Sequence, residues 1–348
     1  MKPILISGIQ PSGRLHLGNY LGALKNFVEL QNSGDYKSFF FIADYHSLTE
    51  FSGNADEKRN QVSDLAIDFL AAGIDPKQSA FFVQSAISAH TELYWILSSI
   101  TSLGELGRMT QFKDKGQIAL EKEEDNEGGF IKAVKSRSGQ ESVNAGLLMY
   151  PILMAADILL YDTKAVPVGE DQLQHIEFAR ALARKFNSKF GITFIEPQPI
   201  MTSIPRLMSL DDPTKKMSKS KPQGCIFLDE DSQSITEKIK HAVTDSEKII
   251  QYNPTRRPGI ANLLLILSAF SGTSIKKLEK DFANTGYGEF KTIVAEKVIQ
   301  SLEPFKKKKM FFKKNISSVK KTLEKGNKIA NITASKKLTE VKRKIGLL

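Results

Sequence analysis

The segment Ser38-Phe39-Phe40-Phe41-Ile42-Ala43 constrains the fold more than any other part of this chain. Successive side chains of a strand point to opposite faces. A run that is apolar from Phe39 to Ala43 must therefore be covered on both sides, as strands of parallel sheets are. The first half of the chain supplies the cover. Short strands are predicted at 4–7, 38–43 and 79–84. Helices are predicted at 19–31, with Leu21, Leu24, Phe27 and Val28 on one face, at 56–72, closed by Gly73 with Pro76 beyond, and at 92–100. This alternation argues for βαβ units and a doubly wound parallel sheet, an α/β fold of the Rossmann-like kind. A polar, acidic stretch interrupts the pattern at about 116–140 and reads as an exposed insertion. A helix at 145–161, a strand at 166–168, a helix at 171–186 and a strand near 192–195 resume it. Beyond about 231 every pattern is helical: 234–243, 258–270, 274–283, 290–302 and a lysine-rich end. The expected division is an α/β domain over 1–230 and an all-α domain over 231–348.

The charge follows the same division. The net charge is +10, yet residues 301–348 carry 15 Lys or Arg against three acidic residues, a local +12 that leaves the rest near −2. A local positive field suits a polyanion such as RNA. A solvated, lysine-rich helical face is the other reading of that composition. No run of about 18 apolar residues is present, so no membrane span is expected, and a strand starting at residue 4 leaves no room for a signal peptide. The single cysteine, Cys225, excludes an internal disulfide and a cysteine-based zinc site, which suits a reducing cytoplasm.

Residues able to carry chemistry gather in distant segments. Gln10-Pro11-Ser12-Gly13-Arg14-Leu15-His16-Leu17-Gly18-Asn19 follows the first strand, with Gly8 just before it. Glycines let backbone amides approach phosphate oxygens, and a helix start adds its positive end. His16 and Asn19 can donate hydrogen bonds there. An ordinary glycine-containing turn with a surface histidine has the same composition. Neither Gly-x-x-x-x-Gly-Lys-Ser/Thr nor Gly-x-Gly-x-x-Gly occurs, so a nucleotide site here is of another kind. Far downstream, Lys216-Met217-Ser218-Lys219-Ser220 presents two lysines suited to a pyrophosphate leaving group, whose charge builds up in the transition state. Asp157 lies within Leu153-Met154-Ala155-Ala156-Asp157-Ile158-Leu159-Leu160. A carboxylate buried there needs a partner.

Taken in order, residues 8–13 (Gly-Ile-Gln-Pro-Ser-Gly), 104–113, 154–161, 167–172 (Pro-Val-Gly-Glu-Asp-Gln), 212–220, 242–245 (Ala-Val-Thr-Asp) and 258–264 resemble the bacterial tryptophanyl-tRNA synthetases over nearly the whole chain. The segments at 10–19 and 216–220 are similar to the His-Ile-Gly-His-type and Lys-Met-Ser-Lys-Ser motifs of class I aminoacyl-tRNA synthetases. Met-Ala-Ala-Asp together with Val-Gly-Glu-Asp-Gln separates the pattern from the tyrosine enzymes. The resemblance implies attachment of L-tryptophan to tRNA(Trp) through a tryptophanyl-adenylate, with ATP as substrate, Mg²⁺ carried on it and no protein-bound metal. It implies ATP contacts from Gln10, Pro11, Ser12, Gly18, Asn19, Gly169, Glu170, Asp171, Leu207, Lys216, Met217, Ser218, Lys219 and Ser220. Catalytic roles would fall to His16, Asn19, Lys113, Lys216 and Lys219. The tryptophan pocket would comprise Gly8, His46, Tyr150, Met154, Asp157 and Gln172, with Asp157 accepting the indole N–H. A homodimer in the cytoplasm is implied as well.

Three positions depart from the family's pattern: Ile6, where some members carry an aromatic residue, Lys221, where an Asp is common, and the insertion beside Lys113 and Lys115. A tyrosyl-tRNA synthetase and a non-catalytic, synthetase-like RNA-binding protein are the competing readings. Intact Gln10, Asp171, Lys216 and Lys219 argue against the second.

Overall fold

The computed structural model describes residues 2–109, 116–117, 135–136, 144–201, 206–247 and 249–348. The chain enters on β1 (Ile4–Ile9), turns through α1 (Leu17–Asn19) and a π-helical stretch at Tyr20–Leu24, and continues as α2 (Lys25–Ser33). The helix predicted at 19–31 is thus broken near its start. Asn26 explains the break: its buried Nδ2 donates to the carbonyls of Leu21 (3.2 Å) and Gly22 (3.3 Å), an insertion into the helical ladder of the kind that widens a turn. Then come β2 (Lys37–Ile42), α3 (Ala55–Ala72), β3 (Ser79–Val83), α4 (Ala89–Ser98) and α5 (Leu103–Gly107). The backbone pairs Gly116–Gln117 (β4) and Lys135–Ser136 (β5) form a short antiparallel ladder within the insertion. Next follow α6 (Ala145–Leu159), β6 (Thr163–Val168), α7 (Leu173–Phe190) and β7 (Gln198–Met201). The rest is helical: α8 (Ser232–Lys240), α9 (Pro258–Ser271), α10 (Ile275–Asp281), α11 (Tyr287–Lys314) and α12 (Ile316–Lys344).

The main sheet has the order β3-β2-β1-β6-β7, every pair parallel. This is the doubly wound α/β architecture expected, followed by a helical C-terminal region. Alternate residues of β2 enter opposite cores. Phe40 and Ile42 pack with Phe27, Phe69 and Phe81 on one face, while Phe39, Phe41 and Ala43 pack with Phe82, Leu93 and Tyr161 on the other. Each large apolar side chain so buried contributes about 1.5–3 kcal/mol.

The strand predicted at 192–195 does not form; β7 begins at Gln198. The amides of Thr193 and Phe194 both donate to Asn187 Oδ1 (2.9 Å each), and the Thr193 carbonyl accepts from Lys337 Nζ (2.8 Å). These side chains take the groups a sheet ladder would need.

The lysine-rich end is not simply a solvated face. Helix α12 returns to cover edge strand β3, where Gly326 comes so close that a Cβ would lie 1.7 Å from the Phe81 carbonyl oxygen. The Val83 amide donates to Asn327 Oδ1 (3.0 Å). Lys337 is buried and ion-pairs with Asp162 and Glu340 (2.8 Å each). Lys309 is buried between Asp68 (2.7 Å) and Asp229 (3.0 Å). Lys307 and Lys308, by contrast, are exposed. Among the described residues no single helix is long and apolar enough to cross a membrane.

Candidate active site

Strand order reverses at β1, with β2 on one side and β6 on the other. Open α/β sheets place ligands at such a switch point, beyond the carboxyl ends of the strands. Here β1 and β6 pair only at Ile4–Thr163 and Leu5–Ala165, with a register shift between them. Past that point the two strands open onto a cavity of about 420 Å³. Its lining includes all six residues assigned to the tryptophan pocket: Gly8, His46, Tyr150, Met154, Asp157 and Gln172. Ile6 also lines it. Gly8 is fixed by space, since a Cβ there would sit 2.7 Å from the Phe41 ring.

Asp157 is buried, as its apolar neighbours predict, but it already has partners. Its Oδ1 accepts from Gln84 Nε2 (2.9 Å) and is 2.5 Å from His90 Nδ1; its Oδ2 accepts from Gln84 Nε2 (2.8 Å) and is 2.9 Å from His46 Nε2. His90 is in turn 2.9 Å from the Tyr161 hydroxyl. Burial works against ionisation of Asp157, but His90 and His46 outweigh it and hold its pKa below the usual value. The carboxylate is thus the centre of a protein network, and a ligand N–H accepted by it would share one of its oxygens. Gln84 and His90 were not singled out in the sequence. A histidine at the entry of an apolar helix, Ala89-His90, was the available signal.

Two turns earlier on α6, Tyr150 forms a second pairing absent from the sequence reading. The Tyr150 hydroxyl bonds His175 Nε2. His175 lies one turn beyond Gln172 and is 1% exposed. Burial, with His46 nearby, lowers its pKa to about 4 despite the opposing Asp171, so the ring is neutral at physiological pH. Burial, helped by Glu50 and Asp171, pushes the Tyr150 phenol well above its ordinary value.

The segment 10–19, whose Gln10 lines this cavity, meets the lysine loop some two hundred residues further along the chain. Lys219 Nζ donates to Ser12 Oγ (3.0 Å) and lies 3.3 Å from the carbonyls of Ser12 and Gly13. Gly13 has φ +90°, a conformation that favours glycine. Gln10 lines the cavity and also a more open cleft of about 760 Å³ that includes Pro11 and Ser12. His16 caps α1: its Nδ1 accepts from the Asn19 amide (3.3 Å), while Asn19 Oδ1 accepts from the His16 amide (3.2 Å). Gly18 is required beside it, since a Cβ would fall 2.9 Å from the ring. Burial, with Lys219 and Lys216, lowers the His16 pKa to about 4, so it is a neutral imidazole. These bonds occupy acceptor atoms, Asn19 Oδ1 and His16 Nδ1, so the donors expected of the two residues are Asn19 Nδ2 and the His16 Nε2–H.

The remaining expected residues divide by exposure. Gly169 lines the cavity, while Glu170 and Asp171 are exposed at the end of β6. Lys216 and Ser220 are exposed, and Ser218 Oγ is 2.9 Å from Ser220 Oγ. Leu207 and Met217 are buried in the core, joined by the Met217 amide donating to the Leu207 carbonyl (3.1 Å), so they anchor the loop. Lys221 is exposed. Lys113 lies outside the described residues, as does most of the 116–140 insertion.

A family model described as "tRNA synthetases class I (W and Y)" matches residues 1–303. The chain belongs to this family. A tryptophan–tRNA ligase of Oceanobacillus iheyensis is 44% identical to it over 352 residues, covering 100% of this chain and 99% of the relative. The crystal structure of tryptophanyl-tRNA synthetase from Mycoplasma pneumoniae superposes with a TM-score of 0.86 at 34% identity, covering 100% of this chain and 99% of that one. The Campylobacter jejuni synthetase, solved with ADP and tryptophan, gives 0.78 at 34% identity, covering 99% and 100%. A class I synthetase of this branch is thus the frame for the meeting of segment 10–19 with the lysine loop.

Proposed function

We propose that this chain is a tryptophan–tRNA ligase, which attaches L-tryptophan to tRNA(Trp) with ATP and releases AMP and diphosphate. The contact of Lys219 with Ser12, on a cleft that shares Gln10 with the cavity holding Asp157, carries the reading. Full-length similarity to tryptophan–tRNA ligases, and to a synthetase solved with ADP and tryptophan, supports the choice of substrates.

In the first step the tryptophan carboxylate attacks the α-phosphate of ATP, whose counter-ion is Mg²⁺. The new C–O–P bond forms as the bond to pyrophosphate breaks, giving tryptophanyl-adenylate. The nucleophile is already ionised, so positioning and charge stabilisation suffice. In the second step a terminal ribose hydroxyl of the transfer RNA takes the aminoacyl group and AMP leaves. We assign the nucleotide to Gln10, Pro11, Ser12, Gly18, Asn19 and residues 169–171, and pyrophosphate to Lys216 and Lys219. Lys113 and Ser218–Ser220 are assigned by resemblance. The indole lies against Asp157, in the cavity that Tyr150, Met154 and Gln172 also line. Rejection of analogues lacking the N–H reaches roughly 10⁴–10⁵ when a site is built to bond it.

ATP–pyrophosphate exchange with each of the twenty amino acids tests the reading. Tryptophan alone is expected to support exchange. Exchange with tyrosine overturns the substrate, and exchange with none favours a non-catalytic RNA-binding protein.

The exposed lysines of α11 suit the phosphates of the transfer RNA. Replacing Lys307 and Lys308 together by glutamine is expected to raise the KM for transfer RNA and flatten its salt dependence by roughly one unit of slope for each phosphate no longer neutralised. An unchanged slope favours a merely solvated face. Lys309 is left out of this set because its charge is spent on Asp68 and Asp229. The exposed Trp95, 72% accessible on α4, and Leu103, 74% accessible, support a homodimer with this face as its seat, which sedimentation equilibrium measures. The single, buried Cys225 suits a cytoplasmic protein.

A further inference from the structure

The middle of segment 10–19, residues 14–17, is held by a short stretch, 226–229. The Leu17 amide donates to the Ile226 carbonyl (2.9 Å), and the Leu228 amide to the Leu15 carbonyl (3.0 Å). The Arg14 guanidinium lies 4.3 Å over the Phe227 ring and reaches Asp229 Oδ1 through Nη2 (2.6 Å) and Nε (2.9 Å). The other oxygen of the same carboxylate, Asp229 Oδ2, takes Lys309 Nζ of α11 at 3.0 Å. Lys309 also pairs with Asp68 of α3 at 2.7 Å, and both of these side chains are almost wholly buried, 7% and 3% exposed. One carboxylate thus joins the segment beside the cavity to a helix of the C-terminal region.

We propose that Lys309 and Arg14, acting through Asp229, are positioning residues for ATP. The proposal rests on the reading that segment 10–19 holds the nucleotide. Two carboxylates, Asp68 and Asp229, converge on one ammonium. Without it, like charges face each other with no cation between them, and a buried carboxylate left unpaired is strongly unfavourable. Asp229 then moves toward water, and the Arg14 contact that fixes the turn at Gly13 moves with it. A lysine in the basic C-terminal run, far from the nucleotide in sequence, thereby sets the geometry of the ATP loop without touching ATP.

Tryptophan-dependent pyrophosphate exchange on the full chain, without RNA, tests this. Lys309→Met and Arg14→Gln are each expected to raise the KM for ATP about three- to tenfold, and the double variant to do no more than the larger single change, because contacting residues on one path couple. The KM for tryptophan is expected to stay within about twofold, and Lys309→Arg to restore the KM for ATP. An unchanged KM for ATP in both single variants overturns the proposal, as do additive effects. So does a Lys309→Met protein that loses thermal stability and kcat while keeping both KM values, the mark of a purely structural pair. If Lys309→Met fails to fold, Asp229→Asn beside Arg14→Gln carries the same comparison. Failure of the wild type to exchange at all would sink the reading beneath the proposal instead.

Discussion

Replacing Lys219 by alanine is expected to slow tryptophan-dependent exchange on the order of 10²–10³-fold, the usual cost of losing one donor aimed at developing charge. The side chain is positioned for that role. Its ammonium reaches Ser12 Oγ and the carbonyls of Ser12 and Gly13, all neutral acceptors. Burial lowers its pKa, a sign that these neutral groups do not replace the displaced water. A pyrophosphate between the two segments would offer anionic oxygens in their place, and the gain would be greatest as its charge grows. The KM for tryptophan should hardly change, because its pocket is built from other segments. Exchange kinetics within about twofold of wild type would remove Lys219 from the leaving-group role.

Asp157→Ala is expected to cost tryptophan use and fold stability together. Gln84, His46 and His90 all aim at this carboxylate. Each polar group stranded by its removal costs about 1–3 kcal/mol, so the melting temperature should fall. Asp157→Asn separates the two effects, since it keeps the shape and one acceptor oxygen. We expect it to remain folded while kcat/KM for tryptophan drops about tenfold or more and the KM for ATP stays nearly constant. The decisive measurement compares tryptophan with an analogue carrying sulfur in place of the indole nitrogen. Wild type should discriminate strongly and Asp157→Ala little, with Asp157→Asn between them because its amide oxygen can still accept the N–H. An Asp157→Ala protein that keeps the wild-type ratio shows that Asp157 does not read the N–H, and Gln172 or His46 then becomes the candidate.

What was legible in the sequence was whatever local pattern enforces. An apolar run such as Phe39–Ala43 has one stable environment, between two helical layers, and it specifies a parallel sheet. The lysine loop at 216–220 announced phosphate chemistry by its residue types, and segment 10–19, alone compatible with an ordinary glycine-containing turn, did so by pairing with it. The apolar neighbours of Asp157 announced its burial.

Partnership was not legible, because it joins residues with no fixed relation along the chain. Nothing near Asp157 in sequence points to Gln84 or His90, 73 and 67 positions away, yet they occupy its lone pairs. Nothing in a run of four lysines marks Lys309 as the one turned inward; α11 aims it at Asp68 and Asp229 while Lys307 and Lys308 face water. The missing strand at 192–195 has the same cause, since Asn187 and Lys337 capture its hydrogen-bonding groups. Periodicity determines which faces of this protein are buried. Only the packed chain decides which charges meet inside it, because a buried charge is governed by its neighbours in space.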